Sequence, residues 1–400
     1  MSVEMPRLLF VAPVMPSGGG NGLAMRQGQF LQAYARAFAV DLAVIPLAGA
    51  ADADAAFAAR FARRMRVFAP DGVETHFALL RRLADPAARA AAFAQYGKPS
   101  MAAGLTETLL REVCAWAGEC EAVHVGRLYL LAAGVRIPAD QRFVDADEDD
   151  ARVYARVAAL SRGAAAEWAA VEARNAARAA AGMLPQMDRV FVAGAGDAAG
   201  LAHPGLTVVP NTVKVGKLHP APRGRGKILF VGTLGYAPNE DGICWFIRQV
   251  WPLLRRRAAG VELEIVGGGA SLRLRRAARA PGITLRGRVK ALGPVYQAAR
   301  VVVVPLRAGG GSRIKLLEAA GAGLPVVATR LGAEGVALLP GRDFVQVDAA
   351  RGFAEAVAGL LAQPARARRM GLAARRAVLR GHEAGIWQKR IAEIARRALA

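Results

Sequence analysis

The sequence predicts an α/β chain built from two doubly wound domains, and three observations predict it. Short runs rich in Val, Leu and Ile alternate with Ala-rich helical stretches along the chain. Two of those runs, RLLFVAPV at residues 7–14 and KILFVGTL at residues 227–234, open the same strand, glycine-bearing loop, helix and strand. Between them, NTVKVGKLHPAPRGRGK (residues 211–227) carries Gly, Pro and charge with no apolar period, which reads as a linker. Alternating strands and helices favour parallel sheets with helices on both faces.

The elements follow in order. After RLLFVAPV come Pro16 to Gly22, a helical pattern through Arg36 and the strand VDLAVIPL. Ala-rich helices are expected at residues 52–66 and 75–95, then a strand at 122–125, the run RFVDA, one long helix over residues 150–181, and the strands RVFVAG and LTVVP. Past the linker, KILFVGTL leads to a helix at residues 241–258, then VELEIVGGG, ITLRG, RVVVVPL, a glycine loop, a helix at residues 312–322, PVVATR and FVQV. The last stretch has Ile386, Trp387, Ile391, Ile394 and Leu399 among Arg and Lys, an amphipathic helix that packs on the protein or lies on a membrane. The expected domains are residues 1–215 and 216–381, with a terminal helix at 382–400. Ligands in such sheets sit at the carboxyl ends of the strands, so two domains facing each other imply an interdomain cleft.

Composition bounds the function. With 54% hydrophobic and 22% charged residues among 400, the composition is ample for large buried cores and argues against disorder. The net charge of +22 is uneven: residues 1–217 carry 23 basic and 21 acidic side chains, residues 218–400 carry 31 and 11. A basic half suggests an anionic partner or a solvated arginine surface. No aromatics alternate with the Arg clusters as base stacking requires, so no nucleic-acid partner is expected. Every uncharged stretch is broken by Pro and Gly, no signal peptide is read at the N-terminus, and three cysteines make no even framework. A cytoplasmic setting follows as the expectation, with peripheral contact to an anionic inner membrane face as one use of the basic half.

The run RVVVVPLRAGGGSRIKLLEAAGAGLPVVATRLGAEGV (residues 300–336) carries the most chemistry. A buried strand ends at Pro305, and Gly309, Gly310 and Gly311 permit close backbone approach by a ligand. Ser312 fits the helix N-cap, where free amides and the dipole attract phosphate. Arg313 and Lys315 in the first turn suit a diphosphate, and Glu318 a ribose diol. In the first domain, Gly18, Gly19 and Gly20 sit at the first strand-to-helix turn. Their spacing is not that of a nicotinamide fingerprint. The acidic run Asp145 to Asp150 contains D-x-D but precedes a long helix whose dipole favours acids, so no metal is expected.

This constellation resembles family 4 glycosyltransferases of GT-B fold. PNTV (residues 210–213) is similar to that family's pre-linker segment, VGTLGYAPNEDGICWF to its second-domain opening, and LRGRVKALGPVYQAARVVVVPL to its nucleobase strand, loop and helix. The resemblance implies a retaining transfer from a nucleoside-diphosphate sugar to a hydroxyl acceptor, without a cofactor. Diphosphate neutralisation then falls on Arg313 and Lys315, with Thr233, Arg288 and Val289 as further donor contacts, the last two in the segment similar to the family's nucleobase loop; the resemblance implies His124 near the donor sugar, and Arg127 just after it would face the acceptor. The chain departs from the pattern at Gly310, where the family carries a glutamate, and at Thr233 and Pro238, where it often carries Arg and Lys. Two other readings stay open: a sugar-nucleotide epimerase on a similar frame, and a non-catalytic nucleotide-sugar or glycan-binding subunit.

Overall fold

The computed structural model describes residues 5–48, 55–70, 83, 85–218, 227–309 and 313–399. The chain divides into two compact units. One runs to Pro210 and regains the chain from Gly385 onward; the other holds Asn211 to Gly309 and Arg313 to Ala384. The division thus falls at Pro210, not after residue 215, and the terminal helix belongs to the first unit.

In the first unit the strands are β1 (Arg7–Ala12), β2 (Ala39–Val44), β3 (Arg64–Val67), β4 (Cys120–Val125), β5 (Ala139–Asp147), β6 (Arg189–Val192) and β7 (Leu206–Val208). They lie in the order β3-β2-β1-β4-β5-β6-β7, every neighbouring pair parallel. Central β1 is covered on both faces, with Leu8 to Ala12 at most 1% exposed. That is why it reads as an unbroken apolar run instead of an alternating one. Helix α1 (Gly22–Tyr34) starts where the Asn21 side chain accepts from the Leu23 amide.

Two expectations fail here. The helix expected at residues 52–66 is a short helix, Ala55–Ala59, followed by β3; its Ala-rich composition masks an edge strand that pairs with β2 from Asp41↔Arg64 to Val44↔Val67. The long helix of residues 150–181 is two, α2 (Asp150–Leu160) and α3 (Ala164–Met183). Ser161 is extended and Gly163 sits at φ +58°, a conformation no helix continues through.

The second unit has β8 (Lys227–Val231), β9 (Leu263–Val266), β10 (Ile283–Gly287), β11 (Ala299–Val304), β12 (Val326–Ala328) and β13 (Val345–Gln346), in the order β10-β9-β8-β11-β12-β13 and again all parallel. Its helices include α4 (Ala237–Trp245), α5 (Gly293–Ala298), α6 (Ile314–Gly321), α7 (Ala350–Ala362) and α8 (Pro364–Gly381). Trp251 anchors the core, 2% exposed, among the side chains of β8, β9 and α7.

The final helix, α9 (Ala384–Leu399), lays Ile391, Ala392 and Ala395 into the first unit's core beside Leu8, Phe10 and Leu42. Its apolar face is therefore used in packing, and no helix among the described residues is long and apolar enough to cross a membrane. Because Ile391 is fully buried, Ile391→Ala should cost the first unit about 2–5 kcal/mol in a denaturant titration. A loss below about 1 kcal/mol would contradict this docking.

Candidate functional site

In the second unit the strand order reverses between β8 and β11. At such a reversal the connections leave to opposite faces, and ligands of doubly wound sheets bind at the carboxyl ends of the strands beside it. Glycine lets the loops there meet: a Cβ at Gly267 would lie 1.7 Å from the Gly232 carbonyl oxygen, and one at Gly309 (φ +87°) 2.7 Å from Pro238 Cγ. Gly309 thereby brings the loop after β11 against the start of α4, a helix with no side-chain cap at Tyr236. Thr233 is exposed after β8, its carbonyl accepting from Asn239 Nδ2 at 3.0 Å. Arg288 is exposed and Val289 half-buried just past β10. Gly310, Gly311 and Ser312 lie outside the described residues.

The helix expected to start at Ser312 starts at Ile314, with Arg313 before it at φ −79°, ψ 41°. Arg313 is not open in a first turn as expected: its side chain is 4% exposed, its Nη2 3.7 Å from Glu334 and 3.5 Å from the Gly309 carbonyl oxygen. Lys315 and Glu318 do meet. Lys315 Nζ donates to Glu318 Oε2 at 3.0 Å, and Tyr296 Oη, from α5, donates to the same oxygen at 2.9 Å. Burial first, and the Glu318 charge second, push the Tyr296 phenol well above its ordinary pKa, so it remains a donor. Tyr296 and Glu334 carried no local sequence signal. Neither did the bidentate Arg307–Asp241 pair beside the same loop, its shortest contact 2.8 Å.

The first unit has its own reversal, between β1 and β4. Gly18, Gly19 and Gly20 are exposed after β1, Gly20 at φ +88°. The residues beyond β4 and β5 form a buried charge network. Fully buried Arg26 of α1 donates to Asp145 Oδ2 at 2.7 Å, to Asp145 Oδ1 at 2.6 Å and to the Val209 carbonyl at 2.9 Å. Asp147, in the left-handed region at φ 61°, lies 3.3 Å from Arg26 and 3.2 Å from Arg127. Arg127 also pairs with Glu148 at 3.1 Å and with Asp150. Arg127 was expected to face an acceptor; only 8% of its side chain is exposed, and its guanidinium neutralises this acidic turn. Burial lifts the Asp145 carboxyl above the ordinary carboxylate range, against the pull of Arg26. Among the described residues no group of three His, Cys, Asp or Glu is arranged to hold a metal ion.

His124, expected near a donor sugar, is fully buried. It pairs across to Phe10, and its ring stands 4.7 Å from the Phe10 ring and 4.9 Å from that of Phe30, while Nδ1 is 2.9 Å from Tyr34 Oη. Its side chain points into the α1-facing core and offers no surface to a ligand. Burial, with Arg26 adding to it, holds His124 well below its ordinary pKa. The unfolded chain takes up this proton below about pH 6.5 and the folded chain does not, so stability falls with acidification by about 1.4 kcal/mol per pH unit. Unfolded in denaturant, wild type should lose about 1.4 kcal/mol more than His124→Gln between pH 7.5 and pH 5.5. Parallel curves would contradict the neutral, buried imidazole.

Comparison with known proteins agrees with this architecture. Residues 225–363 match the family model described as glycosyl transferases group 1. A GDP-mannose-dependent alpha-(1-6)-phosphatidylinositol monomannoside mannosyltransferase of Mycolicibacterium smegmatis is 33% identical over 232 residues, 51% of this chain and 58% of that protein. An uncharacterized 44.6 kDa protein in the cps region of Klebsiella pneumoniae is 27% identical over 30% of this chain and 32% of its own length. The chain thus spans less than two thirds of either relative. Among solved structures, sucrose-phosphate synthase of Thermosynechococcus elongatus superposes with a TM-score of 0.71 at 16% identity, covering 98% of each chain. Anabaena HepE, in complex with UDP and glucose, gives 0.67 at 12% identity, covering 98% of this chain and 99% of that one. Residues 225–363, within the second unit, thus match a group 1 glycosyltransferase domain, and the whole chain shares the two-domain fold of these solved structures.

Proposed function

We propose that the chain moves a sugar from a nucleoside diphosphate to a hydroxyl acceptor with retention of anomeric configuration. The observation that carries the reading is the grouping of Gly309, Arg313, Lys315 and Glu318 where β11 passes into α6, at the switch point of the second sheet. Breaking the bond between the anomeric carbon and the phosphate oxygen gathers negative charge on the diphosphate. Lys315 and the amides opening α4 and α6 answer that charge as it forms. Arg313 is held ready by Glu334 and the Gly309 carbonyl. Lys315 and Tyr296 both bond Oε2 of Glu318, which leaves Oε1 to accept from a ribose hydroxyl.

In a retaining step the acceptor oxygen bonds the anomeric carbon on the face the phosphate leaves. The departing phosphate oxygen takes the acceptor's proton, and no separate general base is needed. UDP in HepE and the GDP-mannose of the mycobacterial relative support a nucleoside-diphosphate donor. Gly310 and Thr233 replace side chains that the family resemblance would have used on the donor.

Lys315→Ala should lower the transfer rate by about 10²–10³, the cost of losing one charge-stabilising donor. Glu318→Gln should weaken UDP or GDP binding by calorimetry, with unchanged thermal unfolding of the free protein. Donor binding without transfer or hydrolysis across a hydroxyl acceptor panel would leave a nucleotide-sugar-binding subunit. An inverted product would overturn the retaining step.

A further inference from the structure

The second unit contains a cavity of about 350 Å³ near the amino ends of its inner strands. It opens beside the starts of β11 and β12, at Ala299 and Pro325, and lies between α5, the end of α6 and the start of α8. None of Thr233, Arg288, Val289, Gly309 or Arg313 lines it. Its volume is that of a small-molecule site.

The lining is divided in chemistry. Leu324 and Leu360 are buried, Leu292 and Leu372 partly so, and together they make an apolar interior. Exposed cations stand at the rim: Lys214 and Lys217 from the segment leading into the second unit, and Arg368 from the first turns of α8. Helix α8 begins at Pro364 with no side-chain cap, adding the positive end of an 18-residue helix to the same side. The one carboxylate in the lining, Glu318, is already engaged by Lys315 and Tyr296.

We propose that this cavity binds a single-chain amphiphile with an anionic head, its chain against the leucines and its head against Lys214, Lys217 and Arg368. Exposed cations over an apolar interior match such a ligand on both counts: an inorganic anion leaves the interior empty, and a neutral lipid leaves the rim unused. The site gives a local use to part of the charge excess of residues 218–400. It stands on the geometry of the second unit and shares Tyr296 and Glu318 with the candidate donor site, so competition with a nucleotide separates the two readings.

Calorimetry with dodecyl phosphate below its micellar concentration tests it. The full chain should bind dodecyl phosphate at least tenfold more tightly than dodecyl maltoside, with no measurable heat from inorganic phosphate. The surface double variant Lys217→Glu/Arg368→Glu should lose that preference, and Leu292→Trp, which fills the cavity, should abolish binding while thermal unfolding confirms that both variants fold. Equal affinity for the neutral amphiphile, binding untouched by the charge reversals, or competitive displacement by UDP or GDP would each overturn the proposal. The last result would make the cavity part of the donor site.

Discussion

A parallel sheet whose strand order reverses must send the connections on either side of the reversal to opposite faces, and the space between them cannot be filled by either. In the second unit that constraint falls between β8 and β11. It fixes where α4 and α6 begin and aims both helix starts at one place. The rest of the candidate site follows from keeping that place open to a ligand while packing it tightly below. Gly267 and Gly309 let backbone lie where any side chain would collide, Arg313 is buried within 3.7 Å of Glu334, and Glu318 accepts from Tyr296 of the neighbouring helix.

The two units handle charge differently. The first unit, nearly balanced in sequence, takes its charges inside: Arg26 and Arg127 are buried with Asp145, Asp147 and Asp150. Leaving either arginine without its carboxylates would strand a buried charge, so this network specifies how α1, β5 and the turn after it fit together. Asp147 holds its left-handed backbone within that network, a conformation that surrounding contacts must over-determine. Apart from buried Arg313, the second unit keeps many of its cations outside, on helices and at the rim of the cavity beneath the sheet, where solvent carries most of their cost.

Much of this was legible in the sequence. Buried parallel strands are unbroken apolar runs, and the turns that matter are glycine loops at their ends, so RLLFVAPV, KILFVGTL and RVVVVPL located the sheets. Residues close in sequence located Gly309, Arg313, Lys315 and Glu318. What was illegible depended on distant partners. Arg26 meets Asp145 across 119 positions and Tyr296 meets Glu318 across 22, with no local pattern to announce either. His124 misled because a strand-end position does not say which face its side chain takes, and here it takes the aromatic core beside Phe10 and Phe30. Strand β3 was hidden by the Ala-rich stretch before it; Arg64–Val67, with no strong strand pattern of its own, is extended by pairing to β2.

The central claim is that the crevice at the carboxyl ends of β8 and β11 receives a nucleoside diphosphate. Amide hydrogen exchange of the full chain with and without UDP or GDP tests this most directly. The account predicts slowed exchange in residues 232–236, 305–309 and 313–318, with residues 214–218 and 364–372 around the second cavity unchanged. Protection confined to those latter segments, or none in the three loops at a saturating nucleotide concentration, would contradict it.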